Sequence, residues 1–204
     1  MKKIVVFVFV LFMTNFCHAN EMQEFGKQMS YFYLNPTEKN FIEFQKRAAS
    51  FEQELKSSKK HTDIIVALMV ARISEKYNWS IQDTFFKKQA LEILQEKSKL
   101  AKFINDDNAV NPTKLDIWWA SYFATGDEKY LHKILLYAGE ELPGKDNISK
   151  LLIIGAATWS FKSNCKQHKS VRDFALKMSN NSSLSMKKRE YLLKVVEFAD
   201  NAHS

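Results

Sequence analysis

The sequence predicts an all-α protein of about nine helices, arranged as stacked antiparallel hairpins in an irregular solenoid or a compact bundle. Glycine and proline are scarce, with five and three residues among 204, which favours long uninterrupted elements over many turns. Aromatic residues make up 13% of the chain, and this content is typical of a packed core rather than of a disordered chain. Apolar residues also recur every three or four positions, as they do on one face of a helix.

Residues 1–19 are predicted to be a secretory signal peptide of the bacterial type. Lys2 and Lys3 precede an apolar run over residues 4–13, and a short exit segment ends in a small residue, Ala19. The run is too short to span a bilayer, and no later segment has the ~20 apolar residues of a spanning helix. We therefore expect a periplasmic or secreted protein without a transmembrane segment, whose residues 20–204 form a single helical domain.

Three helices are predicted in the first third of the chain. Apolar spacing places the first over residues 22–34, and Asn35 with Pro36 is expected to cap the second. The second helix carries an apolar stripe formed by Phe41, Phe44, Ala48, Phe51 and Leu55. The third contains the run 64–70, which is apolar on all sides, as expected of a helix buried on most of its circumference.

One long helix is predicted next, over residues 81–104. Ser80, with Asp83 three residues later, resembles the capping pair found at helix starts. The polar cluster that follows, at residues 105–111, is the expected subdomain boundary.

Asn111 and Pro112 predict the start of an aromatic-rich helix. A turn at residues 125–127 is expected to connect it to an antiparallel partner.

The C-terminal third is predicted to contain three helices. Residues 148–161 form a strongly apolar helix, in which Gly155 is expected to allow close packing by a neighbour. Shorter amphipathic patterns predict a helix around residues 171–178 and a last helix that includes residues 191–198.

Two blocks and one turn carry a resemblance to known proteins. The block at residues 116–127 reads DIWWASYFATGD, the block at residues 157–168 reads ATWSFKSNCKQH, and residues 33–36 read YLNP. These segments resemble a family of exported, all-helical bacterial proteins of unknown function. The resemblance implies helical hairpins of tetratricopeptide-like character, and it brings neither an activity nor a catalytic residue.

Two regions are candidates for a binding surface. Segment 159–168 is the first choice, because polar side chains are dense there beside an apolar helix. The aromatic residues of 118–130 form either a recognition groove or core. Trp118 and Trp119 point about a quarter-turn apart on a helix, so one of them is expected to be partly exposed. The predicted binding residues are Trp119, Tyr122, Lys162, Asn164, Gln167 and His168.

A small exported cysteine hydrolase is the enzymatic alternative. Cys165 and His168 would be neighbours on one helix, where the imidazole could hold the thiol as a thiolate. The sequence shows no orienting third group and no oxyanion site. Burial of Cys165 is therefore expected instead, with Ser163, Asn164 and Gln167 capping the end of the helix.

No cofactor, metal ion or internal disulfide is expected. Cys17 leaves with the signal peptide, so Cys165 has no partner within the chain. The stretch from Ser185 to Lys188 matches the S-x-x-K pattern of penicillin-recognising enzymes, but the companion K-T-G strand is absent, and the match is interpreted as coincidence. Four histidines are isolated in sequence, which is unlike a zinc site: His61, His132, His168 and His203.

The expected function is non-catalytic binding of a protein partner, in the bacterial envelope or outside the cell. A net charge of +7 falls to +5 without Lys2 and Lys3. Lysine is interleaved with glutamate, which is typical of solvated helical faces, so nucleic acid is not expected as a partner. A carrier of an apolar ligand remains a third alternative, and it would require a roomy cavity.

Overall fold

The computed structural model describes residues 18–57, 62–96, 98–106, 110–142 and 147–201. Those residues form eleven α-helices and one short 3-10 helix without a strand, so the all-α prediction is confirmed. Within these ranges no helix is long and apolar enough to cross a membrane. Residues 1–17 of the predicted signal peptide lie outside the described residues.

The helices divide between two compact units. The first unit, residues 18–127, contains α1 (His18–Tyr31), the 3-10 helix η1 (Phe32–Leu34), α2 (Glu38–Ser50), α3 (Glu52–Ser57), α4 (Thr62–Tyr77), α5 (Lys87–Leu94), α6 (Lys99–Asn105) and α7 (Pro112–Thr125). The second unit, residues 128–201, contains α8 (Glu128–Leu135), α9 (Ile148–Gln167), α10 (Lys169–Ser179) and α11 (Met186–Asn201). The cluster at residues 105–111 lies within the first unit, and a single domain over residues 20–204 stays a prediction.

Phenylalanine rings join α1 to α2. The rings of Phe25 and Phe44 are stacked with centroids 5.5 Å apart, and Phe25 is equally close to Phe51. All five residues of the predicted stripe on the second helix are buried, as expected. The capping prediction at Asn35 is wrong: Thr37 is extended and its Oγ1 accepts from the backbone N–H of Asn40, at 3.1 Å, so the helix starts two residues later.

Helix α4 is the buried helix of the first unit, as its all-round apolar sequence predicts. It packs against α2, α3, α5 and α7. Val66 through Ala71 are all at most 1% exposed. The helix ends at Tyr77, because Asn78 adopts a positive φ of 57°.

The prediction of one long helix over residues 81–104 is wrong. The buried amide of Gln45 accepts a hydrogen bond from the backbone N–H of Gln82 at 2.8 Å, and the chain stays non-helical up to Phe86. A second interruption falls at Glu96, whose φ is 53°. Ser98 then caps α6 by accepting from the N–H of Ala101 at 3.0 Å.

Helix α7 begins and ends where the sequence predicts. Asn111 Oδ1 accepts from the N–H of Lys114 at 3.0 Å, and Pro112 occupies the first turn. Gly126 ends the helix with a φ of 70°, in the left-handed conformation that glycine adopts without strain.

Two lysines of the first unit bind the carboxyl ends of helices. Lys114 is fully buried, and its Nζ donates to the carbonyl oxygens of Phe103 and Ile104 at the end of α6. Lys76 Nζ donates to the carbonyl oxygen of Thr125 at the end of α7, at 2.5 Å. Each ammonium satisfies carbonyls that the helix leaves unpaired and lies at the negative end of the helix dipole.

In the second unit, α9, α10 and α11 each pack against the other two, and α8 packs against α9. Gly155 on α9 is exposed, and a Cβ built there would meet nothing within 4 Å. The prediction that Gly155 allows a neighbouring helix to approach is therefore wrong, and the buried small residues are Ala156 and Ala157.

Asp116 on α7 has a half-buried carboxyl group whose ionisation opposes folding. Burial raises its pKa from 3.8 to about 6, because surroundings of low polarity disfavour the charged form. Between these two values the folded chain binds more protons than the unfolded chain. The free energy of unfolding therefore falls as the pH rises through this window.

We expect Asp116→Asn to raise the free energy of unfolding of the first unit by up to about 3 kcal/mol at pH 7.5. At pH 4 the folded wild-type carboxyl is already protonated, so the gain should largely vanish. Denaturant-dependent hydrogen exchange of the α7 amides measures both values. Asp83→Asn is the control, because that side chain is 95% exposed. An equal gain at both pH values would contradict the role of burial.

Candidate functional site

One face of α9 carries exposed residues from the first turn of the helix to the last, with the half-buried Leu152 among them. Its residues recur every three or four positions and lie within an arc of about 80° on a helix of 3.6 residues per turn. Trp159 is 49% exposed and Ile148 is 66% exposed. We call this face the α9 stripe; it consists of Ile148, Leu152, Gly155, Trp159, Lys162 and Lys166.

The α9 stripe combines apolar surface with positive charge. It extends over about 27 Å at a rise of 1.5 Å per residue. The charged residues of α9 are all lysines, at Lys150, Lys162 and Lys166, and the helix contains no aspartate or glutamate. A surface with an exposed tryptophan beside lysines complements apolar surface bordered by carboxylates.

Phe198 extends the stripe onto α11. Its ring is 41% exposed, and Lys162 Nζ lies 3.7 Å from the ring centroid. A cation–π contact of this kind contributes about 0.5–1 kcal/mol at an exposed position. The contact fixes Lys162 beside the apolar surface instead of leaving it free in solvent.

The opposite face of α9 is anchored in the core of the second unit. Phe161 and Cys165 are fully buried. The hydroxyl of Tyr191 donates to the carbonyl oxygen of Thr158 at 3.3 Å, and Thr158 Oγ1 accepts from the N–H of Gly139 at 2.9 Å. These contacts hold the helix in place, so the α9 stripe is presented by a fixed element.

Three of the predicted binding residues lie on α9, and only Lys162 belongs to the stripe. Asn164 is half-buried, and its side chain donates to the carbonyl oxygen of Ser160 at 2.9 Å. Gln167 is exposed and donates to Ser163 Oγ at 3.0 Å. The prediction that these polar residues cap the helix end is wrong, because α9 continues to Gln167 and they bond within it.

Trp119 and Tyr122 lie in the core of the first unit, each 2% exposed. Tyr33 of η1 covers Tyr122 with a centroid distance of 5.0 Å. The expectation that Trp118 or Trp119 is partly exposed is wrong, since α7 packs against α1, α4 and η1 and is buried on nearly its whole circumference. The alternative interpretation, that the aromatic residues of α7 form core, is confirmed.

His168 and Cys165 are buried and uncharged at neutral pH. His168 is 1% exposed and follows the last residue of α9 in extended backbone, so it does not continue the same helix as Cys165. Burial lowers the pKa of His168 to about 4 and raises the pKa of Cys165 to about 12. Both shifts favour the neutral forms, which disfavours a thiolate nucleophile. The predicted burial of Cys165 is confirmed.

No protein-family model, curated protein or solved structure matches this chain. The resemblance of residues 116–127 and 157–168 to an exported family is therefore not accompanied by a family match, and no activity is transferred.

Lys188, the lysine of the S-x-x-K stretch, has a structural role. Lys188 is 8% exposed, and its Nζ donates to the carbonyl oxygens of Leu135 at 2.9 Å and Ala138 at 2.6 Å. It also pairs with Glu140 at 2.6 Å. Ser185 Oγ accepts from the backbone N–H of Lys188 at 3.3 Å. These contacts hold α11 to the end of α8.

Across the described ranges, no three or more histidine, cysteine, aspartate or glutamate side chains lie close enough together to hold a metal ion. His132 packs edge-on against Phe174, with centroids 4.9 Å apart. His61 and His203 lie outside the described residues.

The predicted binding residues do not include Ile148 or Trp159, although Trp159 begins the segment 159–168 that is the first choice for a binding surface. Their signal was the spacing itself: residues 148, 152, 155, 159 and 162 fall on one side of the helix. The sequence predicts this helix only as strongly apolar and closely packed at Gly155, although Lys162 and Lys166 lie on its exposed side over the last turns.

Proposed function

We propose that this chain is an exported, non-catalytic binding protein whose α9 stripe, extended by Phe198, contacts a partner protein. The observation that carries the proposal is the half-exposed Trp159, which lies between other exposed apolar surface and Lys162 on a firmly anchored helix. Tryptophan side chains of this kind dominate the binding energy of many protein interfaces. Export is supported by Lys2, Lys3 and the apolar run over residues 4–13.

The partner's chemistry follows from the composition of the stripe. Ile148, Leu152 and Trp159 require an apolar surface to cover them. Lys162 and Lys166 require carboxylates at its border, because like charges placed across an interface destabilise it. We therefore expect a partner protein with an apolar patch flanked by aspartate or glutamate.

Replacing Trp159 by alanine is expected to reduce partner capture at least tenfold, since an interface tryptophan contributes about 2 kcal/mol or more. Tagged protein with each variant is crosslinked in the periplasmic fraction and in the medium, and the captured partner is quantified by mass spectrometry. Leu176→Ala is the matched control, because Leu176 is 47% exposed on α10 and outside the stripe. Retained capture by Trp159→Ala would contradict the proposed surface.

A charge reversal tests the chemistry of the partner separately. Lys162→Glu should weaken capture more at low ionic strength than at high, because salt screens the repulsion that it introduces. Binding of wild type to anionic vesicles, with no protein captured, would instead identify a lipid surface and contradict a protein partner. Both variants should remain folded, and Lys162→Glu should lower the free energy of unfolding by no more than about 1 kcal/mol, because it loses only the contact with the Phe198 ring.

The two alternative functions are a cysteine hydrolase and a carrier of an apolar ligand. The burial of Cys165 and His168 disfavours the cysteine hydrolase. A carrier of an apolar ligand stays a prediction.

A further inference from the structure

A small cavity opens between α1, η1 and α2 of the first unit, with a volume of about 220 Å³. The buried rings of Phe32 and Phe44 form its inner side, and the half-buried Tyr31 forms a wall. Exposed Gln28 and Asn35 lie at its rim. A cavity of about 150 Å³ can hold benzene, so this one can hold a molecule of moderately larger size.

The rim also carries one carboxylate, Glu43. Glu43 is the one charged residue among those that line the cavity, and it is exposed. Arg47, one turn along α2, donates instead to Gln28 Oε1 at 2.9 Å and to the carbonyl oxygen of Glu21 at 3.2 Å. In the part of the chain that the structure describes, no ion pair or hydrogen bond engages the Glu43 carboxylate.

The mouth of the cavity is held by its own hydrogen bonds. The side chain of Asn40 donates to the carbonyl oxygen of Asn35 at 2.8 Å, and its backbone N–H donates to Thr37 Oγ1. Arg47 links α2 to α1 on the other side. The site is thus formed without a ligand, which reduces the ordering cost of binding.

We propose that this cavity binds a small organic cation, such as a quaternary ammonium group. Aromatic faces attract a cation through their negative quadrupole, and Glu43 supplies the opposite charge at the rim. The remaining lining side chains are neutral amides, which contribute no competing positive charge. A ligand with an apolar body and one positive charge satisfies both features of the cavity.

Choline and its neutral isostere 3,3-dimethylbutan-1-ol are the probes, and chemical-shift titration of the full mature chain is the measurement. We expect saturable choline binding that shifts resonances of Tyr31 and Phe44, at least fivefold tighter than binding of the alcohol. Glu43→Gln should weaken choline binding at least fivefold. Glu24→Gln, an exposed carboxylate on α1 outside the cavity, should leave it unchanged.

Equal binding of choline and the alcohol, no saturable binding, or full binding by Glu43→Gln would overturn the proposal. Phosphatidylcholine vesicles tested beside free choline distinguish a lipid headgroup from a free solute, and either one would support a cationic ligand. The cavity lies in the first unit and the α9 stripe in the second. Trp159→Ala should therefore retain choline binding, so this proposal and the protein-binding proposal fail independently.

Discussion

Replacing Gly139 by alanine is expected to lower the free energy of unfolding of the second unit by about 2–4 kcal/mol. Gly139 has a φ of 73°, and a Cβ built there would lie 2.3 Å from Tyr191 Cδ1. The left-handed conformation costs about 1 kcal/mol for alanine, and overpacking of a well-packed site typically adds about 1–3 kcal/mol. The ring has little room to move, since its hydroxyl is bonded to Thr158.

Two other glycines provide a graded control for this prediction. Gly126→Ala should cost only about 1 kcal/mol, because φ is 70° but the nearest Tyr33 atoms lie at an ordinary 3.5 Å. Gly155→Ala should stabilise the second unit by about 0.5–1 kcal/mol, because it is an exposed helical glycine with open space around it. Urea unfolding of the three variants measures the series. A loss at Gly139 no larger than at Gly126 would contradict the close contact with Tyr191.

Replacing Lys114 by methionine is expected to lower the free energy of unfolding of the first unit by about 2–3 kcal/mol. The substitution keeps an unbranched side chain but removes the donors to the carbonyl oxygens of Phe103 and Ile104. A buried polar group that loses its partner costs about 1–3 kcal/mol, and the favourable charge at the end of α6 is also lost.

Lys102→Met on α6, the helix whose end Lys114 contacts, is the matched control. Lys102 is exposed, so its replacement should change the unfolding free energy by no more than about 0.5 kcal/mol. Denaturant-dependent hydrogen exchange of the first unit distinguishes the two variants. Equal, small effects would show that the Lys114 ammonium does not hold the end of α6.

The position of these lysines changes how the basic composition is understood. Lys76, Lys114 and Lys188 are directed at the carboxyl ends of α7, α6 and α8 respectively. Part of the positive charge therefore stabilises the negative ends of helix dipoles within the fold. Net charge alone cannot distinguish such lysines from those of a basic binding surface, because the distinction depends on which helix end lies nearby.

Apolar periodicity and local capping chemistry predicted much of the fold. The buried stripe from Phe41 to Leu55 and the start of α7 at Asn111 follow from interactions between residues close in sequence. The failure over residues 81–104 has a different cause: the hydrogen bond from the N–H of Gln82 to Gln45 joins residues 37 positions apart. No local pattern contains that contact.

The candidate site was harder to predict, for the same physical reason. Trp119 and Trp159 are the same residue type in comparable aromatic helices, and only their packing makes one buried and the other half-exposed. His168 and Cys165 look reactive in sequence, but burial makes both neutral. Exposure depends on which helices cover a face, and that is decided by the whole fold.

Site-specific photocrosslinking at position 159 tests the central claim, that the α9 stripe binds a partner protein, most directly. A photoreactive phenylalanine analogue replaces Trp159 in one variant and Leu176 in another, and cells exporting each are irradiated. The account predicts one dominant crosslinked protein from position 159 and none from position 176. Crosslinks of equal yield at both positions, or none at 159 while the partner is still captured by the wild-type chain, would contradict it.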